Sequence, residues 1–71
     1  MRDETLQKKV GQRIQELREL KNISQQDLAA KCNFEKSNMS RLEAGRVNST
    51  LSTLNRIAIG LGVNIVELFK F

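Results

Sequence analysis

The segment that most limits the fold is the run over residues 25–44, QQDLAAKCNFEKSNMSRLEA. Its apolar and small residues recur at helical spacing on both sides of a short break, which predicts two short helices joined by a tight turn. These residues are Leu28, Ala29, Cys32, Phe34, Met39 and Leu42. Asn33 lies at the break, where the backbone needs a residue that tolerates a left-handed conformation. Ala29 is small enough to let the second helix cross close over the first.

The polar residues of the same segment fall on the side that the two helices leave outside. They offer amide, hydroxyl, ammonium and guanidinium groups to solvent, opposite the apolar side. They are Gln25, Gln26, Lys36, Ser37, Asn38, Ser40 and Arg41. Such a pair is typical of the helix-turn-helix, a motif that places its second helix in the major groove of DNA.

Three short stretches carry a family resemblance: SQQDLA at 24–29, SRLEAG at 40–45 and LGV at 61–63. In this order and spacing they resemble the lambda-repressor-like Cro/cI (Xre) helix-turn-helix DNA-binding domain, over about residues 10–69. The resemblance implies a bacterial or phage transcriptional regulator that binds double-stranded DNA and performs no chemistry.

Size and composition narrow the class of protein. The 71 residues suit one domain, predicted over 1–71. Cys32 is the only cysteine and falls at an apolar helix position, so we expect a buried small side chain rather than a reactive thiol. With no histidine and one cysteine, neither a zinc site nor another cofactor is expected. Because no apolar run approaches the ~20 residues that span a bilayer, we expect a cytoplasmic protein with no membrane partner.

The charge favours a polyanionic partner only mildly. The formal net charge is +4, from 12 basic and 8 acidic residues. The excess is spread along the chain, with +2 in residues 1–22, +1 in 23–46 and +1 in 47–71. The helix pair, rather than the charge, therefore carries the prediction of DNA binding.

Apolar spacing predicts an all-α fold, a compact five-helix bundle in which helices 2 and 3 form the helix-turn-helix. Helix 1 is predicted over 6–21, with Thr5 or Asp3 as its cap and Asn22 at its left-handed end. Its inward stripe is Leu6, Val10, Ile14, Leu17 and Leu20. Ser24 caps helix 2 in a capping box.

Helix 3, the recognition helix, is predicted over about 36–44 and ends at Gly45. Glu35 stands at its cap position, where the family usually has serine or threonine. Because glutamate is a poor N-cap, we expect a frayed start.

Helix 4 is predicted to be capped by Thr50 or Ser49 and to end at Gly62. Its inward residues are Leu51, Leu54, Ile57, Ala58 and Leu61. Gly60 inside it departs from the family and costs about 1 kcal/mol relative to alanine. A short fifth helix is predicted from Asn64, in a capping-box-like start, to Phe69.

In this family the N-terminal half of helix 3 lies against base edges, which implies base contacts from Lys36, Ser37 and Arg41, with Asn38 beside them. The planar fork of Arg41 suits the two acceptors of guanine, and Lys36 can reach them as a point charge. The side chain of Ser37 is too short to specify a particular base strongly. The alternative is that these are ordinary solvent-facing residues. The carboxylate of Glu35 should be repelled by nearby phosphates. The exceptions would be a hydrogen bond that it accepts from cytosine or a contact by which it restrains Lys36.

Contacts to the DNA backbone are expected around this helix. Gln25 and Gln26 begin helix 2, where side-chain amides and free backbone N–H groups suit phosphate. Ser40 flanks the base-facing residues. Arg46 and Asn48 match loop positions where the family often holds the backbone, although Arg46 could also be a free surface arginine.

Arg18 and Glu43 match an arginine and a glutamate that pair in several relatives. By resemblance they form a partly buried structural ion pair that fixes the angle of the recognition helix. Removing one partner of such a pair can cost several kcal/mol.

A homodimer is expected, because sequence-specific control normally uses two copies on a two-fold site with half-sites about 34 Å apart. The interface candidates lie near the C-terminal end: Leu61, Val63, Ile65, Val66, Phe69 and Phe71. Alternatively, Ile65, Leu68 and Phe69 close the core of the monomer.

Two other classes of function are alternatives to a repressor. An antitoxin would bind a small protein partner, with DNA binding as autoregulation, but the five residues before helix 1 are short for a toxin-binding segment. An enzyme is not expected, since the sequence has no histidine, no cluster of carboxylates with a base and no phosphate-binding glycine loop.

Overall fold

The computed structural model describes residues 3–71, which form four α-helices and a 3₁₀ helix and contain no strand. The helices are α1 (Glu4–Leu20), α2 (Gln25–Lys31), α3 (Lys36–Glu43) and α4 (Leu51–Leu61), followed by the 3₁₀ helix Ile65–Phe69. The all-α class is confirmed, as is a second and third helix joined by a tight turn. Met1 and Arg2, the first residues of the domain predicted over 1–71, lie outside the described residues.

The helix ends follow local sequence signals. Asp3, rather than Thr5, caps α1, because its carboxylate accepts a hydrogen bond from the Leu6 amide at 2.9 Å. Ser24 caps α2 as predicted, and Thr50 rather than Ser49 caps α4. Four residues after helices have φ between 56° and 76°, the left-handed region that asparagine and glycine tolerate. These are Asn22, Asn33, Gly45 and Gly62.

The predicted fifth helix is wrong in type, because Ile65–Phe69 is a 3₁₀ helix. The Asn64 side chain accepts from the amide of Val66, two residues on, at 3.0 Å. A capping box would instead bind the amide three residues on. This tighter bond and a length of only five residues favour 3₁₀ winding. The bundle therefore consists of four α-helices closed by a 3₁₀ helix.

The core draws on every helix. Its fully buried side chains are Ile14, Leu28, Cys32, Met39, Ile57 and Leu68. Cys32 is buried as predicted, and burial raises the pKa of its thiol. Leu6, Leu20 and Leu51 were predicted to face inward, which is wrong, since all three are exposed. Each lies in a terminal turn of its helix, where fewer neighbours cover a side chain.

Two glycines mark close contacts between helices. A Cβ on Gly11 would lie 2.5 Å from the carbonyl oxygen of Glu43, so α1 and the end of α3 meet backbone to backbone. A Cβ on Gly60 would lie 3.1 Å from Leu28 and 3.2 Å from the sulfur of Cys32. The close packing of α4 against Leu28 and Cys32 therefore explains the glycine inside α4. The contact at Gly11 holds the end of α3 against α1.

Candidate nucleic-acid interface

The helix-turn-helix is closed by backbone hydrogen bonds at its turn. The amide of Phe34 donates to the carbonyl of Ala29 at 2.8 Å, across the left-handed Asn33. Glu35 makes no side-chain cap, as expected of glutamate. Its backbone carbonyl nevertheless accepts from the amides of Asn38 at 3.0 Å and Met39 at 3.2 Å. The first turn of α3 is therefore formed rather than frayed.

Helix α3 separates its two faces clearly. Met39 and Leu42 are buried in the core. The polar residues that the sequence placed outside are all exposed: Lys36, Ser37, Asn38, Ser40 and Arg41. The candidate base contacts therefore share one solvent-facing surface on a helix whose opposite side is fixed by packing.

Arg41 does not extend freely from this surface. Its guanidinium Nη2 donates to the Oδ1 of Asn38, three residues earlier on the same helix. The contact uses the carbonyl of the Asn38 side chain and leaves its NH₂ group without a side-chain partner among residues 3–71. Two candidate base contacts are thus one hydrogen-bonded unit, which the sequence did not indicate.

A buried carboxylate joins α1, α2 and α3. Glu43 is only 5% exposed, and its Oε2 accepts from Arg18 Nε at 2.7 Å. Its Oε1 accepts from Arg18 Nη2 at 3.1 Å and from Gln25 Nε2 at 2.9 Å. Arg18 also donates to the carbonyl of Ile23 at 2.9 Å. The hydrogen bond to Glu43 raises the pKa of Arg18 above its ordinary value, so the guanidinium stays charged.

The candidate backbone contacts surround α3. The half-buried Gln25 spends one N–H of its side-chain amide on Glu43, which leaves its second N–H for another acceptor. Gln26 is exposed on the first turn of α2, and Arg46 and Asn48 are exposed in the loop that follows α3.

A second ion-pair network fastens the C-terminal segment to α1. Arg13 Nε donates to the backbone carbonyl of Glu67 at 2.9 Å, and its Nη2 lies 3.6 Å from the Glu67 carboxylate. That carboxylate also accepts from Lys70 at 2.6 Å. Beside this network, Lys9 lies over the ring of Phe71, 5.8 Å from its centroid. Sequence reasoning missed the contacts of Arg13 with Glu67 and of Lys9 with Phe71, because each joins residues more than fifty positions apart.

The candidate dimer residues divide into three groups by exposure. Leu61 is 2% exposed and belongs to the core, so its side chain has almost no surface for a second copy, and that assignment is corrected. Val63 and Ile65 are partly buried against the core. Val66, Phe69 and Phe71 are exposed, Phe71 at 59%.

Of the exposed C-terminal residues, Phe69 lines an apolar groove formed by α1, the start of α4 and the loop before it. The groove encloses about 200 Å³ and is lined by Leu6, Leu51 and Phe69 among others. Leu6 and Leu51, which the sequence assigned to the core, therefore belong to this surface. Within residues 3–71, no helix is long and apolar enough to cross a membrane, and no cluster of metal-ligating residues occurs.

Comparison with known proteins identifies similar domains. The family model of the Cro/C1-type HTH DNA-binding domain matches residues 13–71. An uncharacterized HTH-type transcriptional regulator, y4dJ of Sinorhizobium fredii (strain NBRC 101917 / NGR234), is 40% identical over 63 residues, which cover 89% of this chain and 82% of that protein. The immunity repressor protein of Bacillus phage phi105 is 39% identical over 56 residues, 79% of this chain but 39% of the repressor. The crystal structure of the restriction-modification controller protein C.AhdI from Aeromonas hydrophila has a TM-score of 0.85 and 35% identity, and the match covers 87% of this chain and 94% of that one.

Proposed function

The chain belongs to the Cro/C1-type helix-turn-helix family of DNA-binding transcriptional regulators, and we propose that it is a repressor that binds a palindromic operator as a homodimer. The observation that carries the proposal is the exposed polar face of α3, backed by a buried apolar face. Repression would follow from occupying a promoter and excluding polymerase.

In the proposed complex, α3 enters the major groove and Lys36, Ser37 and Arg41 face the base edges. Arg41 is the strongest candidate for specificity, since a guanidinium can donate twice to guanine. Contacts to the DNA backbone fix the register of the protein without adding sequence information. The proposed backbone contacts are Gln25, Gln26, Ser40, Arg46 and Asn48.

The proposed dimer forms through the exposed apolar residues of the C-terminal segment. Val66, Phe69 and Phe71 supply its centre, and the groove beside Leu6 and Leu51 enlarges it. Several large apolar side chains left exposed on one segment are typical of an interface. A two-fold axis there would present two copies of α3 to successive major grooves on one side of the duplex.

Selection of binding sites from random duplex DNA tests the DNA-binding part. The expected result is an enriched palindrome with half-site centres about 10 base pairs apart. A flat result at low salt contradicts the proposal. The antitoxin alternative would then come first, and co-purification of a small partner from the native host would test it.

Sedimentation tests the dimer. Phe71→Ser should shift the molecule from dimer to monomer without unfolding it. Leu20→Ser is the matched control, because Leu20 is 76% exposed at the far end of α1 and outside the proposed interface. Equal masses for the wild type and Phe71→Ser would contradict the proposed interface.

A further inference from the structure

A polar cleft of about 430 Å³ lies between the start of α1 and the loop that follows α3. Its lining residues are Glu4, Gln7, Lys8, Ala44, Gly45 and Arg46. The loop lies directly on α1, since a Cβ on Gly45 would be 2.6 Å from the Cα of Lys8. Gly45 also has a φ of +76°, so the close approach and the backbone conformation both require glycine. The arrangement brings Lys8 and Arg46 to one cleft from distant parts of the sequence.

These two cations differ from most basic residues of the described chain in having no assigned partner. Arg13, Arg18 and Lys70 pair with carboxylates, and Arg41 with the side chain of Asn38. Lys9 and Arg56 lie over aromatic rings. Neither Lys8 nor Arg46 forms an ion pair or a side-chain hydrogen bond with any of residues 3–71. Their charges are therefore available to an anion from outside.

The cleft is next to the proposed recognition surface. The amide of Arg46 donates to the carbonyl of Arg41 at 3.0 Å, so the loop folds back onto the last turn of α3. If Arg41 touches a base edge, then Arg46 and Lys8 lie at the rim of the groove, where phosphates border the bases. We propose that Lys8 and Arg46 together bind a phosphate of the DNA backbone, which extends the DNA-binding surface onto α1. This inference rests on the proposed function.

One feature of the cleft opposes phosphate binding, and another offers Lys8 a structural role instead. Glu4 lines the same cleft and reduces its net charge to one positive. The end of α3 also presents backbone carbonyls, and cations near a helix C-terminus stabilise the helix. If the role of Lys8 were purely structural, replacing it would lower the thermal stability of the protein and leave the salt dependence of DNA binding unchanged.

The test is the salt dependence of the dissociation constant of the full chain for a mixed-sequence duplex. Each phosphate contact contributes about 0.9 to the slope of log K against log salt concentration. Because the two side chains share one phosphate, Lys8→Gln and Arg46→Gln together should lower the slope by about that amount per bound subunit, and each single variant should lower it measurably. The loss should be equal on the selected operator and on unrelated DNA, because a phosphate contact carries no sequence information.

Lys21→Gln is the matched control, since it removes the same charge from an exposed residue just after the C-terminal end of α1, at the other end of the helix from the cleft. It should keep the wild-type slope. A Lys8→Gln slope equal to that of Lys21→Gln overturns the site, with or without a fall in melting temperature. Absence of any binding by the wild type at low salt overturns the proposed function and the site together.

Discussion

Glu43→Gln is the substitution whose effect the structure defines best. The carboxylate is 5% exposed and accepts three hydrogen bonds, two from Arg18 and one from Gln25. Glutamine keeps the shape of the side chain but replaces one acceptor oxygen with an NH₂ donor. At least one donor then faces another donor, and the guanidinium of Arg18, whose side chain is 11% exposed, loses its counter-charge.

The expected loss of stability is large for so small a domain. Removing one partner of a buried ion pair costs about 3–5 kcal/mol, and we expect about 3 kcal/mol because glutamine retains part of the hydrogen bonding. The free energy of unfolding of a domain this size is of the order of 4–11 kcal/mol, from roughly 0.05–0.15 kcal/mol per residue. At about 4–8 °C per kcal/mol, the melting temperature should fall by about 12–24 °C.

Thermal denaturation followed by circular dichroism measures this loss. Glu35→Gln serves as the control, since Glu35 is exposed and makes no cap, and its change should stay within about 0.5 kcal/mol. Replacing both partners, Arg18→Met with Glu43→Leu, should recover much of the stability because no charge is left buried. If Glu43→Gln and Glu35→Gln melt alike, the pair does not hold the helices together and the reasoning is refuted.

Three further substitutions test separate contacts. Gly11→Ala should destabilise the fold by about 2 kcal/mol in urea denaturation, because its Cβ meets backbone oxygens of α3 rather than a flexible side chain. Asn38→Ala should weaken the base preference at the same operator position as Arg41→Ala. In competitive binding the double variant should lose no more affinity than Arg41→Ala alone, since the two side chains act as one unit. The hydrogen bond from Lys70 holds the pKa of Glu67 below its ordinary value, so Glu67 stabilises the fold above the pKa of the unfolded chain and this stability is lost as pH falls. The difference in melting temperature between the wild type and Glu67→Gln should therefore be present at neutral pH and vanish in acid.

The sequence sufficed where structure is set by neighbouring residues. Asn22 and Asn33 take the left-handed conformation because their position after a helical run requires it. Ser24 caps α2 through the amide of Asp27, three residues on, at 3.0 Å. The polar and apolar faces of α3 follow directly from helical periodicity.

Prediction failed where the outcome depends on distant parts of the chain. Periodicity places Leu6 and Leu51 on an apolar face but does not reveal that no other element covers them. Arg13 resembles the other basic residues of α1 in sequence, and its role depends on Glu67, 54 positions away. Gly11 lies within a helix like any tolerated glycine, and only the crossing of α3 shows why a side chain does not fit there.

These long-range contacts converge on α1. Toward its middle and end, Gly11 and Arg18 hold the last turn of α3, one by close backbone contact and the other through Glu43. On the same helix, Arg13 holds the segment that contains the exposed Phe69 and Phe71. The proposed recognition helix and the proposed dimer surface are thus attached to one rigid element. In a dimer built on that surface, the distance between the two copies of α3 would be set through α1, and so would the spacing of half-sites that the protein accepts.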